Sequence, residues 1–142
     1  MRKIYKVLLL ILCFSINLGY ASEITVKIND KDVIFDVSPI IMNERTMVPM
    51  RAIFEELGCE VEWLSQSQTV IATQNSKIIA LQIGSNRIIS TDVETNQTTV
   101  YESDVAPVIH NERTMIPVRV ISEILGYKVD WESQTQEVII SR

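Results

Sequence analysis

Six side chains stand out for the chemistry they could do: Arg45, Arg51, Arg113, Arg119, Trp63 and Trp131. A guanidinium can grip a carboxylate through two parallel N–H donors. An indole face offers a broad apolar platform for a sugar ring. With Glu44 and Glu112 beside them, these residues could form a polar ligand site for a sugar or a peptide carboxylate. A structural role is the stronger expectation. Arginine near a helix N-terminus opposes the dipole and therefore needs its own partner, such as a strand carbonyl or an acid. A tryptophan in an alternating strand ordinarily closes a sheet over a helix.

Other chemistry has less support. His110 is the sole histidine, without a nucleophile or orienting acid beside it in sequence. Glu60 with Glu62, and Asp130 with Glu132, lie two apart and read as the solvated face of strands rather than as a hydrolytic dyad. No Gly-rich phosphate loop, Cys/His cluster or calcium-loop spacing is present. The expectation is a non-catalytic protein with no cofactor and no metal.

Beyond these residues, the dominant feature of the chain is a repeat. Pro39-Ile40-Ile41-Met42-Asn43-Glu44-Arg45-Thr46-Met47-Val48-Pro49-Met50-Arg51 recurs 68 residues later as Pro107-Val108-Ile109-His110-Asn111-Glu112-Arg113-Thr114-Met115-Ile116-Pro117-Val118-Arg119. About twenty of the thirty-five positions from Pro39 to Thr73 are identical at that offset. His110 corresponds to Met42, which suits a half-exposed strand position better than a catalytic one. Two copies are too few for a solenoid, so a pseudo-symmetric pair with one core is expected. Copy one runs over about 24–91 and copy two over about 92–142.

Each copy carries the same element signals. Pro49 suits a helix start, and Met50, Ile53, Phe54 and Leu57 share one helical face. Gly58 supplies the left-handed stop. Pro117, Val118, Ile121, Leu125 and Gly126 repeat the pattern. Such two-turn helices need packing to persist. Val61 and Trp63, then Val129 and Trp131, alternate with polar residues as half-buried strands. Val70-Ile71-Ala72-Thr73 and Val138-Ile139-Ile140-Ser141 return. Ile24, Val26 and Ile28 pair through Asn29-Asp30-Lys31 with Val33, Phe35 and Val37 as a hairpin, and Ile78–Ile83 pairs with Arg87–Ile89 as another. The polar stretch from Asp92 to Thr99 reads as a flexible loop or linker.

The first 21 residues read as a secretory signal. Arg2, Lys3 and Lys6 precede an apolar run from Val7 to Leu18, and Gly19-Tyr20-Ala21 leads to cleavage between Ala21 and Ser22. The run is short for a membrane span, so no stable membrane insertion is expected after cleavage. Removing the leader takes the formal charge from -5 to -8. An acidic surface repels phosphate, which argues against nucleic acid as a partner. Cys59 is then the single cysteine, expected as a small buried hydrophobe rather than a reactive thiol.

The Asn-x-Arg-Thr-Met-x-Pro-x-Arg string, the helix ending in Leu-Gly and the Val-x-Trp strand resemble the copper amine oxidase N-terminal (stalk) domain family, from about Ile24 to Ser141. The resemblance implies an α+β fold of twisted antiparallel sheets packed on short helices. It also implies an accessory module of exported bacterial proteins, often Gram-positive. Many members have glycine before the motif arginine, where this chain has Glu44 and Glu112. The turn must therefore accept a Cβ, or Asn43 and Asn111 must take the left-handed position. The function expected is an exported, non-catalytic module, secreted or non-covalently associated with the envelope, that binds or scaffolds at the cell wall. Its partner would be peptidoglycan or another envelope protein. A docking or self-assembly subunit is the alternative, and a small cell-wall hydrolase a weaker one.

Overall fold

The computed structural model describes residues 22–142. The leader reading, with Ala21 of its cleavage site, lies outside the described residues. Within them the chain is α+β, as expected: three sheets and two short helices.

The centre is a sheet of four short strands, β3 (Ile40–Met42), β4 (Arg45–Pro49), β10 (Val108–His110) and β11 (Arg113–Pro117), in the order β10-β11-β4-β3. β4 and β11 run antiparallel, with Val48 opposite Ile116, Met47 opposite Pro117 and Pro49 opposite Met115. Each of these partners stands 68 residues along from the same trio, so the register itself is twofold about the Val48–Ile116 pair. Successive strand residues point to opposite faces. Val48 and Ile116 therefore join the main core, while Met47 and Met115 enter a smaller cluster with Val105.

β4 leads into α1 (Met50–Glu56) and β11 into α2 (Val118–Ile124). Pro49 and Pro117 precede these helices as their N-caps rather than opening the first turn. Both helices end in the expected glycine. Gly58 and Gly126 have φ of +80° and +86°, which a side chain would strain. The amide of Cys59 donates to the Phe54 carbonyl at 2.8 Å and that of Gly58 to Glu55 at 2.9 Å. Tyr127 and Gly126 do the same to Ser122 and Glu123. This Schellman closure satisfies carbonyls that a helix end leaves open. Side chains from elsewhere satisfy others. Lys77 Nζ donates to the Ile124 carbonyl at 2.9 Å, and Gln74 donates to that of Leu57.

After α1 come β5 (Glu60–Leu64), β6 (Thr69–Gln74), β7 (Lys77–Gln82), β8 (Arg87–Asp92) and β9 (Gln97–Glu102), an antiparallel sheet in sequence order. β9 corrects the expectation of a linker from Asp92 to Thr99. Its residues are largely exposed on both faces, so it carries no apolar alternation. A four-residue loop holds it. Asn96 takes a positive φ, and the Asp92 carboxylate accepts from the Glu94 and Thr95 amides. The Thr91 and Thr98 hydroxyls pair across the strands at 3.0 Å.

After α2 come β12 (Lys128–Glu132) and β13 (Glu137–Ser141), which join β1 (Thr25–Ile28) and β2 (Lys31–Asp32) in the order β12-β13-β1-β2. β1 runs parallel to β13, a second correction to an all-antiparallel expectation. Where β6 is flanked by the next strand in sequence, β13 is flanked by the first strand of the described chain. The hairpin from Ile24 is also shorter than expected. Val33 still donates to Val26, after which the chain leaves the ladder to reach the central sheet.

The turns between β3 and β4 and between β10 and β11 each hold two left-handed residues. φ is 47° at Asn43 and 62° at Glu44, 46° at Asn111 and 61° at Glu112. This is the backbone of a type I′ turn, whose second position favours glycine. Both alternatives for accepting a glutamate there are therefore realised at once. Glu44→Gly is expected to raise stability by about 1 kcal/mol, read as a higher urea midpoint. Glu44→Ala keeps the Cβ and should bring no such gain.

Candidate functional site

Two grooves flank the central sheet, each built from both halves of the chain. The first, of about 790 Å³, is lined by Pro49, Met50, Arg51 and Glu55 of α1 and its approach, by Trp63 of β5, and by Ile109, Glu112, Arg113 and Thr114 from the opposite half. The second, of about 640 Å³, is lined by Pro117, Val118, Arg119, Glu123 and Trp131, and by Ile41, Glu44, Arg45 and Thr46 from the opposite half. The cause is the β4–β11 pairing, which sets each hairpin turn beside the other half's helix.

The six side chains singled out by their chemistry thus divide three and three. Arg51, Trp63 and Arg113 share one groove; Arg45, Arg119 and Trp131 share the other. The two Glu-Arg pairs, Glu44-Arg45 and Glu112-Arg113, do not converge in one pocket.

The arginines have identifiable partners. Arg113 Nε donates to Asp36 Oδ2 at 2.8 Å, and its second donor lies 2.6 Å from the same oxygen. Arg45 Nε donates to Asp104 Oδ2 at 2.9 Å, with a second donor on that oxygen. Each guanidinium also donates to the carbonyl of the glutamate before it. Arg119 donates to the Val129 carbonyl at 2.8 Å. Arg51 makes one long contact, 3.5 Å to Glu55.

Asp36 and Asp104 are the residues that sequence reasoning missed. They stand 68 residues apart in Asp36-Val37-Ser38-Pro39 and Asp104-Val105-Ala106-Pro107, so the repeat starts earlier than Pro39. That extended match was the available signal. Their pairing with the arginine of the other half was invisible, because the partners lie 77 and 59 residues away in sequence.

The two tryptophans differ in how far they meet the core-anchor expectation. Trp63 is half-buried and packs on the main core. Trp131, at the matching position, is 42% exposed. Cys59 is buried, and desolvation pushes its thiol up to about 11. His110 is half-buried beside Arg113 in the β10–β11 pairing. Among the described residues, no group of three or more His, Cys, Asp or Glu could hold a metal ion, and no helix is long and apolar enough to cross a membrane.

A small α+β domain with paired arginine–tryptophan grooves is the kind of protein that the fold and site define. A family model for the copper amine oxidase N-terminal domain matches residues 27–140, and the chain belongs to that family, the non-catalytic N-terminal domain of those enzymes. No curated protein matches the chain.

The site's electrostatics and burial can both be checked in solution. Arg113 hydrogen-bonds the Asp36 carboxylate and holds its pKa below the ordinary 3.8. A lowered folded-state pKa gives stability that is present above the unfolded value and is lost as pH falls through the folded one. The stability gap between wild type and Asp36→Asn should therefore be widest near neutral pH and close below that carboxylate range, as followed by thermal melts across pH. The Cys59 thiol should resist iodoacetamide at neutral pH in the folded chain and react on unfolding in denaturant; alkylation of the folded protein at the unfolded rate would refute its burial.

Proposed function

We propose that this chain is a non-catalytic module exported to the bacterial cell envelope, where it binds peptidoglycan through its grooves. We read its two halves as copies of one hairpin–helix–hairpin unit. The observation that carries the reading is Trp131, a large apolar surface left 42% exposed in a groove beside Arg119. An indole so placed can stack on a sugar ring, while a guanidinium nearby meets a stem-peptide carboxylate. Arg51 has five N–H donors and one long contact, so its groove has donors to spare. The leader sequence supports export, and family membership supports an accessory role.

The acidic charge of the chain opposes long-range attraction to an anionic wall. Binding would then rest on stacking and short hydrogen bonds, and would tolerate salt. A second reading, a docking or self-assembly subunit, has its own observation. Ile89 and Val100 face each other across β8 and β9, both are exposed, and β9 is a sheet edge. Uncovered edges and apolar patches invite protein partners.

The chain from Ser22 to Arg142, which holds every described element, should cosediment with isolated sacculi in a saturable manner that survives added salt. Trp131→Ala should weaken that binding about tenfold, the loss of roughly 1.4 kcal/mol of stacking, with the circular dichroism spectrum unchanged. No pelleting of the unmodified chain would reject the wall reading in favour of protein docking.

A further inference from the structure

We infer that the chain is bivalent: its two grooves are separate sites of one kind, and a single chain joins two strands of the wall polymer. The inference rests on the wall-binding reading and goes beyond it, since one groove would suffice for binding.

The first ground is the register. Val48 opposite Ile116 places a local twofold relation at the centre of the sheet, so whatever is built on one side is built on the other. The second is the lining. Arg51, Glu55 and Trp63 in one groove stand where Arg119, Glu123 and Trp131 stand in the other. The third is independence. No residue lines both grooves. Each has a volume in the usual range for a pocket that holds a small molecule, roughly 300–1,000 Å³. The fourth is the frame. The strands that connect the grooves meet through residues that are wholly buried, so one sheet carries both.

The grooves are not equal. Ile34 and Phe35 wall the first where Glu102 and Ser103 wall the second. The second therefore carries more negative charge: Glu44, Glu102, Asp104, Glu123 and Asp130 line it, against Asp36, Glu55 and Glu112 in the first. Unequal affinities follow for a ligand that carries carboxylates, with the weaker site in the second groove.

Joining two sites on one body multiplies the apparent affinity for a polymer without any new contact. It also produces cross-linking, which a univalent binder cannot. Five proteins test this: the unmodified chain, Trp63→Ala, Trp131→Ala, the double variant and Trp131→Phe. The probes are soluble fragments of digested peptidoglycan, titrated by calorimetry, and sheared sacculi, followed by turbidity. The unmodified chain should bind two equivalents of fragment and clump sacculi. Each single variant should bind one equivalent, should still pellet with sacculi, though at least about tenfold more weakly from lost avidity, and should no longer clump them. The double variant should do neither. Trp131→Phe, which keeps an aromatic face, should restore clumping and so separate loss of stacking from loss of fold.

Pelleting by the unmodified chain with a single equivalent of fragment and no clumping would overturn bivalence and leave the wall reading standing. So would one tryptophan variant abolishing all binding while the other changes nothing. Failure of the unmodified chain to bind either probe would overturn both.

Discussion

The structure depends on one antiparallel contact, β4 against β11. Three residue pairs make it, and the central pair is wholly buried. Its register delivers two helices and two hairpin turns to equivalent places. Shifting it by one residue would turn Val48 and Ile116 toward the small methionine cluster and Met47 and Met115 toward the main core. The same shift would pull each turn away from the opposite helix. Both arginine–aspartate pairs cross between the halves, so they too exist only in this register. Exposed ion pairs contribute little to stability taken singly. Here they act as a check on alignment, since each arginine finds its acid only when the central strands are correctly paired.

The helices are the second consequence. Seven residues form too few hydrogen bonds to offset the cost of nucleation in water. Neither helix has a side-chain N-cap or an acidic residue in its first turn. Burial and the ends must supply what propensity does not. Ile53 and Phe54 in α1 and Ile121 in α2 are wholly excluded from water, and glycine closures with borrowed side chains finish both C-termini. One exchange shows how the two halves fill space differently. Phe54 and Cys59 are linked by a backbone hydrogen bond in the first half, and Ser122 and Tyr127 occupy those places in the second. The large ring has moved from the helix to the residue after its glycine stop. Ser122 satisfies its hydroxyl on the Val118 carbonyl at 2.8 Å. Cys59 is thereby explained by volume, as the small member beside a phenylalanine, rather than by thiol chemistry.

What could be read from sequence was what is encoded within a few residues. The helices, their glycine stops, the Val-x-Trp strands and the hairpin at Gly84 all rest on local periodicity and turn chemistry, and all are present. Two features were not legible for a physical reason. The parallel pairing of β1 with β13 joins segments more than a hundred residues apart, and nothing within either strand specifies its neighbour. β9 lacks an apolar face, so periodicity cannot distinguish it from a loop; its ladder with β8 and one well-placed asparagine make it a strand. The grooves fall between these cases. Their side chains were visible as arginines and tryptophans of unusual regularity. Their assortment into mixed sets was not, because it follows from which strand lies opposite which.

The two halves serve as each other's control, and the comparison bears on what the grooves are for. Packing positions have been exchanged freely: Val48 for Ile116, Met50 for Val118, Phe54 for Ser122, Cys59 for Tyr127. A core accepts such changes when volume is made up nearby. Five positions that line the grooves have not been exchanged: Glu44, Arg45, Arg51, Glu55 and Trp63 recur as Glu112, Arg113, Arg119, Glu123 and Trp131. The ion pairs account for Arg45 and Arg113. Packing does not account for Trp131, which is left open to water, nor do the turns account for Glu44 and Glu112, which occupy a left-handed position that glycine would fill with less strain. On the wall-binding reading proposed above, Trp131, Glu44 and Glu112 are kept for what they touch outside the fold. Glu112 lines the first groove, and Glu44 and Trp131 line the second.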